Sequence, residues 1–488
     1  MNFIVISSNV NNSQSTHNDW KNYIKKTGLV FMGWDVDHEL GKRFSEIVKG
    51  DLVLVAHGNN ENKKLVIAGY VTSEIMRDKL EDAPNNDYSM YCRLSLYIEL
   101  DEDPQKYNIS FEGAAYGDAQ RVPAIYCLYP DKNEIDKAIV EKLVLLLKKR
   151  RRDVEMKNLI SIIESNKQLV LTGPPGVGKT YTAKQIVKEM LCVDDLEKVR
   201  FPDYENEKGS SAIIQFHPSY GYEDFVQGIV AETESGQVKY QIRNKILVQM
   251  ANKAKEKQND DKKYILILDE INRANLPSVL GELIYALEYR DKEVDLLYGQ
   301  SNQQDSTNDY NRKILIPKNL YIIGTMNTAD RSIGHIDYAI RRRFVFIPIT
   351  PDEIHITNPF AKELFNRVSA LFKTKENGAF KYLSPDFDPE DVSIGHSYFM
   401  VNEEEEKKGN VSEILAGKFA YQVLPLLKEY YKDGILVNKP ELEEIEGVGK
   451  IQIHDRIDYQ DIFEKIKEKF SRSEKKKVLE GKEESSEQ

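Results

Sequence analysis

Apolar and polar positions change period along this chain, and each change marks a change of predicted element. Over residues 1–140 the apolar residues fall in short runs: FIVIS, GLVFMGW, DLVLVAHG, KLVIAGYVTS, CRLSLYIEL and VPAIYCLY. Polar or Gly/Asn/Asp-rich turns such as HGNNENKK and EDAPNND divide them. Short runs between turn signals predict strands of a compact mixed α/β, barrel-like domain. The stretch IDKAIVEKLVLLLKKRRR then takes helical spacing and ends in basic residues, which predicts a basic helical linker over 141–153.

From about Val154 the order becomes helix, strand, helix: MKNLISIIES, QLVLTG, TYTAKQIVKEML. Further unbroken apolar runs are AIIQF (212–216), YILILD (264–269), LYIIGTM (320–326) and FVFIPI (344–349). An unbroken run fits a strand covered on both faces, and its alternation with helices predicts a parallel sheet across 154–350. The stretch between Lys292 and Pro317 reads as a hairpin with a long polar tip, suited equally to contact with a neighbouring molecule or to plain solvent. After Pro359 the strand signals thin out, and AKELFNRVSALF and VSEILAGKFAYQVLPLLKEYY predict an α-helical lid over 351–463. Residues 464–488 are nearly all charge and are expected to be a disordered tail.

Length and composition narrow the class. With 488 residues, two or three domains are expected. The balance of 68 Lys+Arg against 79 Asp+Glu gives a net charge of −11, so any nucleic-acid contact needs a local basic surface. No apolar run approaches the roughly 18 residues of a membrane span. The opening MNFIVISSNVNNSQ lacks a basic leader and reads as a first strand instead of a signal peptide. Cys92, Cys127 and Cys192 are scattered, without zinc or disulfide spacing, so a reducing cytoplasm is the expected compartment.

Candidate chemistry begins with Gly173-Pro174-Pro175-Gly176-Val177-Gly178-Lys179-Thr180, a GxxxxGK(S/T) loop between a strand and a helix. Its backbone N–H groups and the helix N-terminus form a cradle for phosphates, extended by Tyr181, the next residue along. Lys179 is expected at the β- and γ-phosphates and the Thr180 hydroxyl on Mg2+. The strand YILILD ends in Asp269 and Glu270, suited to holding Mg2+ and to deprotonating an attacking water. A third strand ends at Asn327 in MNTADRS, where an amide could polarise that water. Arg331 lies just beyond. Arg341, Arg342 and Arg343 end a short helix, DYAIRRRF. Spacing fits two readings equally: an arginine finger on a neighbouring subunit's nucleotide, or charges that favour a helix C-terminus.

Together GPPGVGKT, LDEINRAN, MNTADRS and DYAIRRRF resemble the McrB family, AAA+ motor subunits of modification-dependent restriction systems. HPSYGYEDFVQGI and IGHSYF resemble further blocks of that family, and the likeness covers about residues 155–435. The resemblance implies an α/β AAA+ P-loop core with a helical lid, a homo-oligomeric ring (a hexamer), and GTP with Mg2+, ATP remaining possible. It also implies a separate McrC-type nuclease subunit. Carried onto this chain, Glu270 and Asn327 are catalytic, Asp330 and Arg331 relay the partner's stimulation, and Arg341 or Arg342 acts in trans, with Arg342 preferred. His396 falls on the lid side of the site. The PD pairs at 202–203 and 385–386 and the acidic run NEEEEKK are fragments of a nuclease signature at the wrong spacing, so no endonuclease site is expected in this chain. A MoxR-like ATPase that remodels proteins is the alternative.

The first domain is similar in order and texture to PUA-like domains of the EVE/YTH kind, which take a modified base into an aromatic pocket. Trp20 and Trp34, with Phe31 and Asp35, are the candidates for that pocket, the base stacking on an indole and bonding at its edge. Trp34 as an ordinary core residue is the competing reading. Residues 1–150 hold 19 basic and 22 acidic residues, so methylated DNA, RNA or another modified nucleic acid would meet a local surface carrying Lys42, Arg43, Lys63 and Lys64.

Overall fold

In the computed structural model the described residues are 3–8, 24, 26–27, 29–32, 44–57, 64–76, 90–99, 125–128, 134–234, 237–300, 312–330, 336–376, 378–401, 405, 407 and 410–483. They divide into two compact units, 1–158 and 159–488.

In the first unit each of the six apolar runs supplies a strand: β1 (Phe3–Ser8), β2 (Leu29–Met32), β3 (Leu52–His57), β4 (Lys64–Val71), β5 (Met90–Glu99) and β6 (Ile125–Leu128). They make one mixed sheet in the order β2-β5-β4-β3-β1-β6, with β1 and β3 parallel and the other pairs antiparallel. Among the described residues the edge strands β2 and β6 are not paired with each other, so the sheet is open as described. Val53, Val55, Ile67 and Cys92 are fully buried within it. Trp20, Trp34 and Asp35 lie outside the described residues, and Phe31 is described only as backbone of β2.

The expected linker is not a separate element. Helix α1 runs unbroken from Glu134 to Asn166, through 141–153 and into the segment MKNLISIIES. No glycine or proline occurs in those residues to stop it.

The second unit is built on five parallel strands: β7 (Gln168–Gly173), β8 (Gly209–Gln215), β11 (Lys263–Asp269), β14 (Leu320–Asn327) and β15 (Val345–Pro348). Their spatial order is β15-β7-β14-β11-β8. The central strands are apolar on both faces because helices cover both: Leu169 to Leu171 and Tyr264 to Leu268 are at most 2% exposed. Helix α2 (Lys179–Leu191) lays Ala183, Ile186, Val187 and Met190 on this sheet, the i, i+3, i+4, i+7 stripe of an amphipathic helix. Hairpin β9–β10 (Gln227–Glu234, Gln237–Asn244) enters after β8. The expected hairpin after Lys292 exists as β12 (Glu293–Asp295) paired with β13 (Lys313–Leu315), and its tip at 301–311 lies outside the described residues.

Beyond β15 lies the lid. Its long helix Pro359–Lys373 starts on Asn358, whose side chain accepts the N–H groups of Phe360 and Ala361, with Pro359 in the first turn. It buries Phe360, Leu364, Phe365, Val368 and Phe372 against helices Val411–Lys418 and Leu424–Lys432. One expectation is corrected here. The segment from 464, read as a disordered tail, is part of a helix running from Tyr459 to Glu483, and Ile462, Ile466 and Phe470 pack into the lid core. Their i, i+4, i+8 spacing is an apolar stripe that the total charge conceals. Among the described residues no helix is long and apolar enough to cross a membrane.

Candidate active site

The strand order places three loops at one edge of the sheet, where the carboxyl ends of β7, β14 and β11 lie side by side. Open parallel sheets take their ligands there. Between β7 and α2 the chain forms the cradle. Gly176 (φ 79°) and Gly178 (φ 82°) hold left-handed conformations that side chains resist, and these turn the loop back over the helix N-terminus. Gly178 caps α2.

Lys179 is 8% exposed, and its ammonium donates to the carbonyls of Gly173 (2.9 Å) and Pro174 (2.8 Å). Burial lowers its pKa to about 8, although Glu270 and Asp269 pull upward. Thr180 follows, its hydroxyl donating to Asp269 Oδ1 at 2.7 Å. A hydroxyl and a carboxylate at hydrogen-bond distance form a hard oxygen pair, the donor set Mg2+ accepts, so these residues fit the expected ion. Tyr181, next along, is 68% exposed beside the cradle.

The acidic pair is organised by a residue that spacing did not reveal. Thr325, inside β14 and 1% exposed, donates to Asp269 Oδ1 at 2.6 Å. The same hydroxyl accepts the Glu270 N–H at 3.0 Å. Glu270 sits at φ 56°, ψ 49°, a left-handed kink that costs a non-glycine residue about 1 kcal/mol or more. Thr325 holds that kink and so aims the Glu270 carboxylate. Glu270 also faces Arg273, Oε2 to Nε at 3.4 Å.

Asn327 ends β14 opposite Gly173 of β7. Its Oδ1 accepts the Ala329 N–H, an Asx turn that fixes the side chain. Its carbonyl accepts from Asn272 Nδ2 at 3.0 Å, and Asn272 is 4% exposed. Asn272 is thus a second positioning residue absent from the sequence reading. The rest of the run joins the lid: the Thr328 hydroxyl donates to the Asp391 carbonyl at 2.7 Å, Ala329 packs on the lid core, and Asp330 acts electrostatically on Tyr430. Arg331 lies outside the described residues.

The arginine run separates into distinct roles. Arg343, with an 8% exposed side chain, pairs with Glu288 and donates to the Ala339 carbonyl. Its own carbonyl accepts from Gln168, whose Oε1 is bonded by the half-buried Arg290. Arg343 is therefore fixed within its own subunit. Arg341 lies 5.3 Å from the Phe346 ring, and Arg342, 65% exposed, makes a long 3.5 Å contact with Glu288. Arg341 and Arg342 remain at the surface beside Tyr338, itself 87% exposed.

The residues expected from sequence at 173–181, 269–270 and 327 thus converge on one edge of the sheet. Arg341 and Arg342 end the short helix that precedes β15, and both are exposed.

Residues 168–344 match the family described as AAA domain (dynein-related subfamily), and residues 381–436 match McrB, alpha-helical lid domain. The Type IV methyl-directed restriction enzyme EcoKMcrB subunit of Escherichia coli K12 is 33% identical over 296 residues, covering 58% of this chain and 57% of that protein. The Type II restriction enzyme BsuMI component YdiS of Bacillus subtilis 168 is 37% identical over 89 residues, 17% of this chain and 26% of that protein. The chain thus spans about half of the first relative's length and a quarter of the second's. Among solved structures, C. elegans PCH-2 is 13% identical over 96% of this chain and 98% of its own, but a TM-score of 0.24 carries no argument. The second unit holds an McrB-type AAA+ domain and an McrB lid.

Proposed function

We propose that this chain is the motor and recognition subunit of a modification-dependent restriction complex. In this reading it hydrolyses GTP within a homo-oligomeric ring and drives DNA past a separate McrC-type nuclease subunit. The observation that carries the reading is the Thr180–Asp269–Thr325–Glu270 constellation on a domain that also bears an McrB lid. The identity to the E. coli restriction subunit supports the restriction role.

Each residue's part follows from its chemistry. The cradle amides and Lys179 bind the phosphate chain and offset its charge. Thr180 and Asp269 would hold Mg2+, which when bound would neutralise charge on the phosphate oxygens. Glu270 accepts the proton of the attacking water, and the Asn327 amide orients that water. Arg342 from an adjacent subunit meets charge developing on the transferred phosphate, an effect worth roughly 10³–10⁵ in rate where such fingers act. In this reading hydrolysis depends on assembly, which the exposure of Arg341 and Arg342 supports. Asp330 and Arg331 pass on the nuclease subunit's stimulation. For the first unit, a PUA-like pocket remains the proposed reader of the modified base, with Trp34, Trp20, Phe31 and Asp35 as its candidate residues.

The test is steady-state turnover of GTP and ATP by the full chain, alone and with the nuclease subunit from the same system, with and without methylated DNA. The reading expects GTP preference, turnover that rises with protein concentration, and stimulation by the partner. Preference for ATP with no effect of DNA overturns it in favour of a MoxR-like protein-remodelling ATPase. Glu270→Gln is expected to retain nucleotide binding and lose about 10²–10⁴ in turnover. Trp34→Ala is expected to abolish the preference for methylated over plain DNA while leaving turnover intact.

A further inference from the structure

A glutamine sits where the parallel sheet has its apolar core. Gln168 opens β7 and is 4% exposed, and the residues after it, Leu169, Val170 and Leu171, are fully buried hydrocarbon. Burying an amide costs free energy unless all of it is bonded. Here all of it is. Nε2 donates to the Arg343 carbonyl at 2.7 Å and to the Leu287 carbonyl at 3.2 Å. Oε1 accepts from Nη2 and Nε of Arg290, at 2.6 and 3.2 Å. Two donor hydrogens and two lone pairs are the whole capacity of a glutamine side chain, and each has its partner. Arg290 is anchored in turn, its Nη1 donating to the carbonyls of Pro317 (2.9 Å) and Leu320 (2.7 Å) around the start of β14.

The two carbonyls that Gln168 holds belong to the two segments that carry the exposed arginine and its counter-charge. Arg343 directly follows Arg342, and Leu287 directly precedes Glu288, which meets both Arg342 and Arg343. The helix ahead of the run, Tyr338–Arg341, has four residues, too few to keep its shape by its own hydrogen bonds. The Asp337 side chain accepts the Ala339 N–H at its start, and Arg343 reaches back to the Ala339 carbonyl from its end. Those bonds shape the turn without tying it to the sheet. Strand pairing of β15 with β7 begins only at Val345. The Gln168 amide extends that attachment back to Arg343, the residue next to Arg342.

We propose that Gln168 is a positioning residue for the arginine offered to a neighbouring subunit: its amide ties the Arg343 and Leu287 carbonyls together and so fixes where Arg342 and Glu288 stand. This rests on the reading of Arg342 as a finger in trans. Gln168 stands at the opposite end of β7 from Gly173 of the cradle, so its loss leaves its own phosphate site intact and is felt in the neighbour's.

The test is turnover and non-hydrolysable analogue binding by the full chain carrying Gln168→Glu or Gln168→Met, alone and co-assembled with Glu270→Gln. Glutamate is nearly isosteric and keeps its acceptors for Arg290, but it has no hydrogen to give either carbonyl. Burial lowers the Arg290 pKa to about 10, against the pull of Asp291 and Tyr321, so it stays a cation facing that carboxylate. Methionine fills similar space without charge and makes neither set of bonds; it answers if carboxylate–carbonyl repulsion unfolds the glutamate variant. A finger displaced by about 1 Å predicts turnover lower by roughly 10²-fold, with analogue affinity unchanged. Glu270→Gln subunits lack the base but carry intact arginines, so co-assembly with either Gln168 variant should restore part of the turnover that each parent has lost. A defect confined to the variant's own cradle is not rescued in this way. Wild-type turnover of the Gln168 variants, or no rescue by Glu270→Gln, overturns the proposal. Arg342→Ala co-assembled with Glu270→Gln separates this failure from that of the reading beneath it. Rescue there, without rescue of the Gln168 variants, leaves the trans finger standing and removes Gln168 from its support. No rescue in either mixture takes the trans reading down as well.

Discussion

Replacing Thr325 with valine removes one hydroxyl and keeps nearly the same volume, which makes it a clean test of how the acidic pair is aimed. Two bonds are lost at once. The hydroxyl–carboxylate bond to Asp269 is of a kind worth about 1.5–3 kcal/mol, and the half-buried Glu270 amide, left without an acceptor, adds about 1 kcal/mol. The expected destabilisation is therefore about 2–4 kcal/mol. Glu270 also loses the bond that holds it at φ 56°, a conformation it leaves once free to do so. A carboxylate displaced by about 1 Å from its working position costs roughly 10²-fold in rate. Turnover of Thr325→Val should fall by about that factor, while the dissociation constant for a non-hydrolysable analogue changes far less, because cradle and lysine are untouched. Thr325→Ser retains the hydroxyl and should turn over within a few-fold of wild type. Global unfolding and turnover are measured on the same preparations. A valine variant that loses stability but turns over normally refutes the claim that Thr325 orients Glu270.

Lys179 makes nucleotide affinity pH-dependent. Its pKa in the free protein lies near 8, below the usual 10.5, so the ammonium is fully present below that pH and lost above it. Affinity measured calorimetrically from pH 6.5 to 9.5 should be flat at the acid end and weaken toward tenfold per unit above about 8; a flat profile throughout contradicts this. Arg343→Ala should cost about 1–3 kcal/mol by thermal melting, because it removes a buried side chain with its bonds to Glu288 and the Ala339 carbonyl, whereas Arg342→Ala should stay within about 0.5 kcal/mol and lose turnover instead. The reverse pattern would exchange their roles. Phe470→Ala, at 1% exposure, should destabilise the lid by about 3–5 kcal/mol in denaturant titration, and a change below 1 kcal/mol would mean the terminal helix contributes nothing to the lid core.

Much of the site was legible because its chemistry is local. The cradle's glycines, Lys179 and Thr180 occupy eight consecutive residues between a strand and a helix, and Asp269 and Glu270 are adjacent at a strand end. Such placements follow from strand ends and backbone conformation without knowledge of any other element. Thr325 gave no signal of this kind. It is one hydroxyl in an apolar strand, and in strands buried on both faces the sequence pattern does not mark which residue meets which neighbour. Asn272 was concealed in the same way, since its partner is the backbone carbonyl of Asn327, 55 residues away. The terminal helix was legible in principle, but total charge outweighed the apolar stripe of Ile462, Ile466 and Phe470.

The sequence by itself determined that a phosphate-binding loop, an acidic strand end and a polar sensor run occur in one α/β domain followed by a helical one. The tertiary structure decided which of these meet. Placing β14 between β7 and β11 brings Thr325 to Asp269. Folding the lid back sets Gly395 and Ser397 on the phosphate loop with His396 between them. Packing sinks the Arg343 side chain and leaves its like-charged neighbours Arg341 and Arg342 exposed, although Glu288 meets both Arg342 and Arg343. The physical reason is one of range. Backbone conformation and burial period are set within a few residues, whereas a hydrogen bond or ion pair between distant segments is set by the whole packing and leaves no spacing to read.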